Sequence, residues 1–263
     1  MPFYDRTEIL LGQAGLEKLK NSKVCVFGLG GVGAAAAMDL VRAGTGCLVV
    51  VDFDIVDESN LNRLYFGYAN NIGSPKTEVF TAYAKEVNPE VVIDSKVSLI
   101  RSADAASVIP PGCNFYLDCI DTLNPKVRLL AALARELKPF ASSMGTSGRL
   151  APERLKLGSL WDSSGCPLAS AVRTRLRRLG FASVHAKGKE ALGTGVRLLH
   201  DFPCVWSDER PVPPLEASGT RTGEMRDGIR IRAIQGSGPF VPQAAGHILA
   251  SMAIRSLLGV SFP

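Results

Sequence analysis

The stretch Gly28-Leu29-Gly30-Gly31-Val32-Gly33 constrains this chain more than any other, because an apolar run, Val24 to Phe27, enters it and a run of small residues, Ala34 to Leu40, leaves it. The pattern reads as a strand, a glycine turn and the start of a helix. Without a Cβ, Gly28 and Gly30 can take positive φ and bring the main chain close to a ligand, while Gly33 lets helix and strand pack tightly. The amides at the helix start, Gly31 among them, then face outward as an anion site favoured by the helix dipole. A G-x-G-x-x-G turn alone fits a NAD-dependent dehydrogenase equally well, so the residues after it must decide the chemistry.

Cys47 to Val51 is a β-branched-rich run of the kind buried on both faces of a parallel sheet, and it ends at Asp52, 19 positions after Gly33. A carboxylate placed there hydrogen-bonds ribose hydroxyls in dinucleotide folds, although it can also cap a turn. Asp54, Asn60, Arg63 and Lys76 follow in a polar, loop-like context. Hydride transfer has no use for two cations and an asparagine in that place. Nucleotidyl transfer does, because Arg63 and Lys76 can hold the phosphates as pyrophosphate leaves. A helix is predicted from Lys76 to Val87, a strand at Val91 to Ile93, a strand at Phe115 to Asp118 and a helix from Lys126 to Leu137. Asp121, just past the fourth strand, is a candidate magnesium ligand, with an N-cap as the competing reading.

The 263 residues and 46% hydrophobic content suit an α/β fold: a Rossmann-like, doubly wound, mainly parallel sheet with a C-terminal α+β elaboration. Residues 1–150 are expected to form the nucleotide-binding core, and residues 151–263 an elaboration within the same compact unit. Thr7 to Lys20 suggests a broken amphipathic helix using Ile9, Leu10, Leu16 and Leu19. Phe240 to Val260 carries Pro242, His247 and Arg255, which points to a buried amphipathic helix rather than a membrane span. Tyr4 to Glu8 interrupts any apolar start, so no signal peptide is expected. Six cysteines without a C-x-x-C pair argue against a zinc ribbon and a disulfide scaffold, and a cytoplasmic location is expected. The three histidines have no ligand-like spacing.

A net charge of +5 permits a nucleic-acid partner without demonstrating one. Arg173, Arg175, Arg177 and Arg178, on a helix beginning near Cys166 and followed by Lys187 and Lys189, suit contacts to nucleic-acid phosphates or else form a solvated face. Cys166 at that helix start is a candidate reactive thiol, with a packing role the commoner alternative. Ser207 to Gly228, rich in proline, is expected to be a long mobile loop able to order over substrate.

The succession G-x-G-G-V-G, D-x-D, S-N-L-N-R, G-S-P-K and D-C-I-D over residues 6 to 124 resembles the adenylating domain of ubiquitin-activating-like enzymes, including the molybdopterin and thiazole sulfur-carrier activators. The resemblance implies that Asp52 binds the ribose of ATP, that Asn60, Arg63 and Lys76 line the triphosphate site, and that Asp121 holds Mg2+. It further implies that Arg6, otherwise an ordinary surface arginine, reaches the phosphates of a neighbouring subunit, making a homodimer with shared sites. Ser143 to Thr146, Cys166 to Ala169, Val205 to Pro211 and Gly236 to Pro242 are similar to the tRNA threonylcarbamoyladenosine dehydratase branch. That branch implies carboxylate adenylation on modified tRNA, a sulfur-relay partner and a monovalent cation as candidates, and no zinc. The stretch around Lys187 to Gly195 matches no pattern of the family. Adenylation of the Gly-Gly end of a sulfur-carrier protein stays open as an alternative, and so does a NAD-binding oxidoreductase or nucleotide sensor.

Overall fold

A computed structural model describes residues 3–98, 107–185, 198–214 and 235–260, together with the backbone of 225–226 and 229–230. The chain runs α1 (Asp5–Lys20), β1 (Lys23–Phe27), α2 (Gly31–Ala43), β2 (Cys47–Asp52), α3 (Lys76–Val87), β3 (Val92–Val97), β4 (Phe115–Asp118), α4 (Leu123–Arg135) and β5 (Phe140–Ser143). It continues through β6 (Leu155–Ser159), α5 (Pro167–Arg178), β7 (Phe181–Ala182), β8 (Leu198–Leu199), β9 (Pro203–Ser207), β10 (Met225–Arg226), β11 (Ile229–Arg230) and α6 (Phe240–Leu258).

Seven strands form one sheet in the order β3-β2-β1-β4-β5-β9-β6. Every pairing is parallel except β6 with β9, so β6 closes the sheet as an antiparallel edge. Strands from both halves of the chain therefore share one sheet. Chain order reverses direction between β1 and β4, which opens a crevice at the carboxyl ends of the strands, where open α/β sheets hold ligands.

Alternation along the strands divides the core in two. Val24, Val26, Leu48, Val50 and Leu117 face one side, under α2, α3 and α6. Cys25, Phe27, Val49, Val51 and Tyr116 face the other, under α4 and α5. Both faces are covered, which explains why these strands read as continuous apolar runs. At the edge, β3 is largely exposed.

Several predicted elements need correction. α1 is broken at Gly12 (φ 73°, ψ 163°), as expected, but Ile9 and Leu10 are exposed and only its second half, with Leu16 and Leu19, reaches the core. α2 begins three residues before Ala34, inside the glycine turn, and α4 begins before Lys126. α6 lies on the sheet with His247 and Ser251 exposed on its outer side, and it crosses α2 so closely that a Cβ on Gly246 would stand 2.4 Å from the Val32 carbonyl oxygen. Among the described residues, no helix is long and apolar enough to cross a membrane.

The expected loop at Ser207 to Gly228 is only partly described. Its first residues are pinned: Glu209 accepts the amides of Leu150 and Ala151, Asp208 pairs with Arg154 and Lys156, and the Val212 amide donates to Gly148. Residues 215–224 and 227–228 of that loop, and Lys187 to Gly195 with Lys187 and Lys189, lie outside the described residues.

Candidate active site

Gly28 carries the turn out of β1 at φ 88°, where a side chain would be strained. Gly33 packs on it so tightly that a Cβ there would stand 1.7 Å from the Gly28 carbonyl oxygen. Gly30 departs from expectation, with an extended backbone (φ −78°, ψ −162°). A Cβ on it would meet nothing within 4 Å, and the residue lines the cavity as bare main chain. Gly31 has a different reason for lacking a side chain, since a Cβ there would press on Pro242 at 3.0 Å and on Arg63 at 3.3 Å. The start of α2 is thus left open toward a cavity of about 590 Å³, a volume suited to a small-molecule ligand.

Asp52 ends β2 and is nearly buried. Its carboxylate accepts the Leu29 amide at 2.5 Å and the Asp54 amide at 2.7 Å, tying the glycine turn to β2. Burial nevertheless pushes its pKa up, because those two amides do not replace all the lost hydration. Each oxygen keeps a lone pair for a donor from the cavity. Lys76 opens α3 with its ammonium largely buried and paired to Asp54 at 2.9 Å. Asn60 closes a 3₁₀ turn whose start is capped by Asp57, a carboxyl held low by the hydroxyl and amide of Ser59. Arg63 is held by the Ser59 carbonyl at 2.7 Å and the Asn62 side chain at 2.9 Å, leaving other guanidinium N–H groups free of partners among the described residues. Asp121 is exposed, and its carboxylate accepts only the Thr122 hydroxyl at 3.2 Å among the described residues. The N-cap of α4 is Thr122, so the capping alternative for Asp121 does not hold.

Gly28, Gly30, Gly31, Asp52, Asp54, Asn60, Arg63, Lys76 and Asp121 all line this one cavity. The others stand apart. Arg6 is exposed on α1 and does not line the cavity of its own chain. Cys166 is the buried N-cap of α5, packed in the core behind Gly145. Arg173 turns inward and donates to the carbonyls of Leu160 and Ser163 and to the Ser163 hydroxyl, which takes it out of the solvated row. Arg175 bonds Asn124 beside the cavity rim, Arg177 lies over the Trp161 ring at 5.5 Å, and Arg178 is exposed.

Sequence reasoning missed a buried support. Asp118 and Lys126, both fully buried, pair at 2.5 Å; Lys126 also donates to the Ser143 carbonyl at 2.8 Å, and the Ser142 hydroxyl donates to Asp118 at 2.7 Å. The second Asp118 oxygen accepts the Ile120 amide at 3.1 Å and so shapes the turn that presents Asp121. A signal was available: Lys126 falls on the i, i+3, i+4, i+7 stripe with Leu129, Leu130 and Leu133, the buried face of α4. Cys119, Thr146, Ser147 and Ser237 also line the cavity without having been singled out. Burial and the neighbouring Asp118 push the Cys119 thiol far up, so it stays protonated.

Comparison with known proteins places this geometry. A tRNA threonylcarbamoyladenosine dehydratase of Bacillus subtilis is 31% identical over 258 residues, covering 97% of this chain and 94% of that protein. The Escherichia coli enzyme of that name is 28% identical over 96% of this chain and 92% of its own length. A crystal structure of the E. coli enzyme in complex with ATP superposes with a TM-score of 0.81 at 26% identity, covering 97% of this chain and 93% of that one. A yeast adenylyltransferase and sulfurtransferase is 36% identical, but over only 53% of this chain and 32% of its own. Residues 4–158, which take in the glycine turn, the ends of β2 and β4 and the cations Arg63 and Lys76 of the cavity, match the ThiF family model, and on that match over more than half its length this chain belongs to the ThiF family.

Proposed function

We propose that this protein is an ATP-dependent enzyme that dehydrates threonylcarbamoyladenosine in tRNA by adenylating its carboxylate. The observation that carries this reading is the convergence of the glycine turn, Asp52, Asn60, Arg63, Lys76 and Asp121 on one cavity, in a chain matched end to end by dehydratases of that name.

A carboxylate cannot expel oxide, so it must first be given a leaving group. A carboxylate oxygen attacks the α-phosphorus of ATP, the bond from that phosphorus to the bridging oxygen breaks, and pyrophosphate departs. An internal nucleophile of the threonylcarbamoyl group then attacks the acyl carbon and closes a five-membered ring. AMP leaves with the carboxylate oxygen, a proton is released, and the nucleoside has lost one water. Holding nucleophile and acyl carbon in one side chain makes the second step unimolecular, an advantage of up to roughly 7–11 kcal/mol in favourable systems.

In this reading Asp52 accepts ribose hydroxyls, the amides of Gly30 and Gly31 meet phosphate oxygens, and Asn60, Arg63 and Lys76 counter the charge that grows on pyrophosphate. Asp121 suits magnesium: the ion on phosphates takes one or two carboxylates and completes its shell with phosphate oxygens and water, and this carboxylate is exposed at the cavity. Magnesium there would neutralise charge on the phosphates. Arg6 completes the phosphate site of a second copy in a homodimer, a role supported by its exposure and its absence from its own cavity. Arg175, Arg177 and Arg178 contact tRNA phosphates beside the cavity rim, whereas Cys166 has a packing role. Six free cysteines fit a reducing cytoplasm. A sulfur-relay protein and a monovalent cation enter this proposal through the family likeness alone.

The test is incubation with ATP, magnesium and tRNA bearing threonylcarbamoyladenosine, followed by mass analysis of the nucleoside. Loss of one water with release of AMP and pyrophosphate is the expected result. Pyrophosphate release stimulated only by a carrier protein ending in Gly-Gly would replace this reading by sulfur-carrier activation.

A further inference from the structure

The cavity has two unlike walls. On the side of β2, Lys76 and Arg63 supply cations. Two strands beyond β1 in the sheet, the loop leaving β5 supplies only hydroxyls, those of Thr146 and Ser147, with Ser237 joining them from the segment before α6. None of the three hydroxyls has a hydrogen-bond partner among the described residues.

This second wall is nonetheless built rigidly. Arg149, only 4% exposed, donates to the Gly145 carbonyl at 2.5 Å and to the Glu209 carbonyl at 3.1 Å, and lies near the Ser147 carbonyl. The Gly148 amide donates to the Gly236 carbonyl, and Asn62 donates to the Ser237 carbonyl at 2.7 Å, joining this wall to the residue beside Arg63. Glu209 secures the far side of the loop through the amides of Leu150 and Ala151. Arg149 thus brings a buried positive charge under the loop, and its Nη2 is buried without a partner among the described residues.

We infer that Thr146 and Ser147 form the subsite for the acceptor carboxylate, the group that attacks ATP, and that Arg149 is the positioning residue beneath it. This rests on the adenylation reading above. An attacking oxygen must be held without losing its electron density. Neutral hydroxyls hold a carboxylate less tightly than a guanidinium fork would, and so leave it more nucleophilic. The buried charge of Arg149 favours an anion at the loop without touching the reacting oxygen. Division of labour follows: cations face the phosphates and hydroxyls face the acid.

Thr146→Val and Ser147→Ala, singly and together, test this, with Thr146→Ser as the variant that keeps the hydroxyl and melting curves to check folding. Each hydroxyl removed lowers kcat/KM for modified tRNA about tenfold or more, as expected for a hydrogen bond to a charged group. The Kd for ATP and the Kd for tRNA lacking the modification stay within about twofold, because the contact is made by the carboxylate alone. Thr146→Ser retains most of the wild-type kcat/KM. An unchanged kcat/KM in the double variant, or a parallel fall in ATP affinity, would overturn the inference and leave the enzyme's function standing. Wild-type protein that binds ATP yet leaves the modified nucleoside intact would overturn the function, and the inference with it.

Discussion

Arg63 shows how little of a side chain's placement need concern stability. It sits on an irregular segment after a 3₁₀ turn, anchored by one backbone carbonyl and one neighbouring amide, and its aliphatic stem lies over the start of α2. Removing it deletes no buried charge pair. Arg63→Ala is expected to lower the adenylation rate by about two to three orders of magnitude, the cost of losing one preorganised group aimed at transition-state charge, with a melting temperature close to wild type. ATP–pyrophosphate exchange beside a thermal melt checks both halves. Lys126 is the opposite case. Its ammonium is fully buried against Asp118, and Lys126→Met leaves that carboxylate uncompensated, so urea unfolding should show a loss of about 3–5 kcal/mol. Because the other Asp118 oxygen holds the Ile120 amide, the turn carrying Asp121 should loosen as well.

Among the elements, the short connections at the carboxyl edge of the sheet matter more than the strands they leave. The segment after β9 is fastened to the loop after β5 by Glu209, whose carboxyl is held below its ordinary value of 4.5 chiefly by the Leu150 amide and also by that of Ala151. A depressed carboxylate contributes stability that is present above the unfolded value and lost as pH falls through the folded one. Glu209→Gln should therefore melt below wild type at neutral pH, and the gap should close as pH falls below 4.5. A gap that persisted in acid would place the contribution in neutral hydrogen bonding instead. The α2–α6 crossing is built differently, with Gly246 and the small residues of α2 meeting by shape and the His247 ring beside the Asp39 carboxylate at 2.6 Å.

For the assembled protein, the shared-site proposal predicts complementation. If two copies share their sites as proposed, Arg6→Ala and Lys76→Ala each abolish activity, one by stripping both partner contributions and the other by stripping both pockets. Mixing and re-equilibrating them should restore about a quarter of wild-type dehydration, since about half the dimers are mixed and each mixed dimer keeps one intact site. Activity that stayed at the level of the separate variants would mean that Arg6 and Lys76 serve the same chain.

Much of this architecture was legible from residue order alone. Cys47–Asp52, Phe115–Asp118 and Lys76–Val87 fall on their expected bounds, because each is set by an uninterrupted local pattern: β-branched runs covered on both faces, or a helix opened by Pro75. The glycine turn and its cavity residues were equally readable, since they lie within one hundred or so positions of one another and follow strands whose ends gather at a switch point. Other features came only with folding. Asn62 meets Ser237 across 175 positions of sequence, and Arg149 meets Glu209 across 60. No local pattern encodes those meetings. They exist because tertiary packing brings distant segments together, and at Arg149 it carries a charge out of water that the Gly145 and Glu209 carbonyls then satisfy.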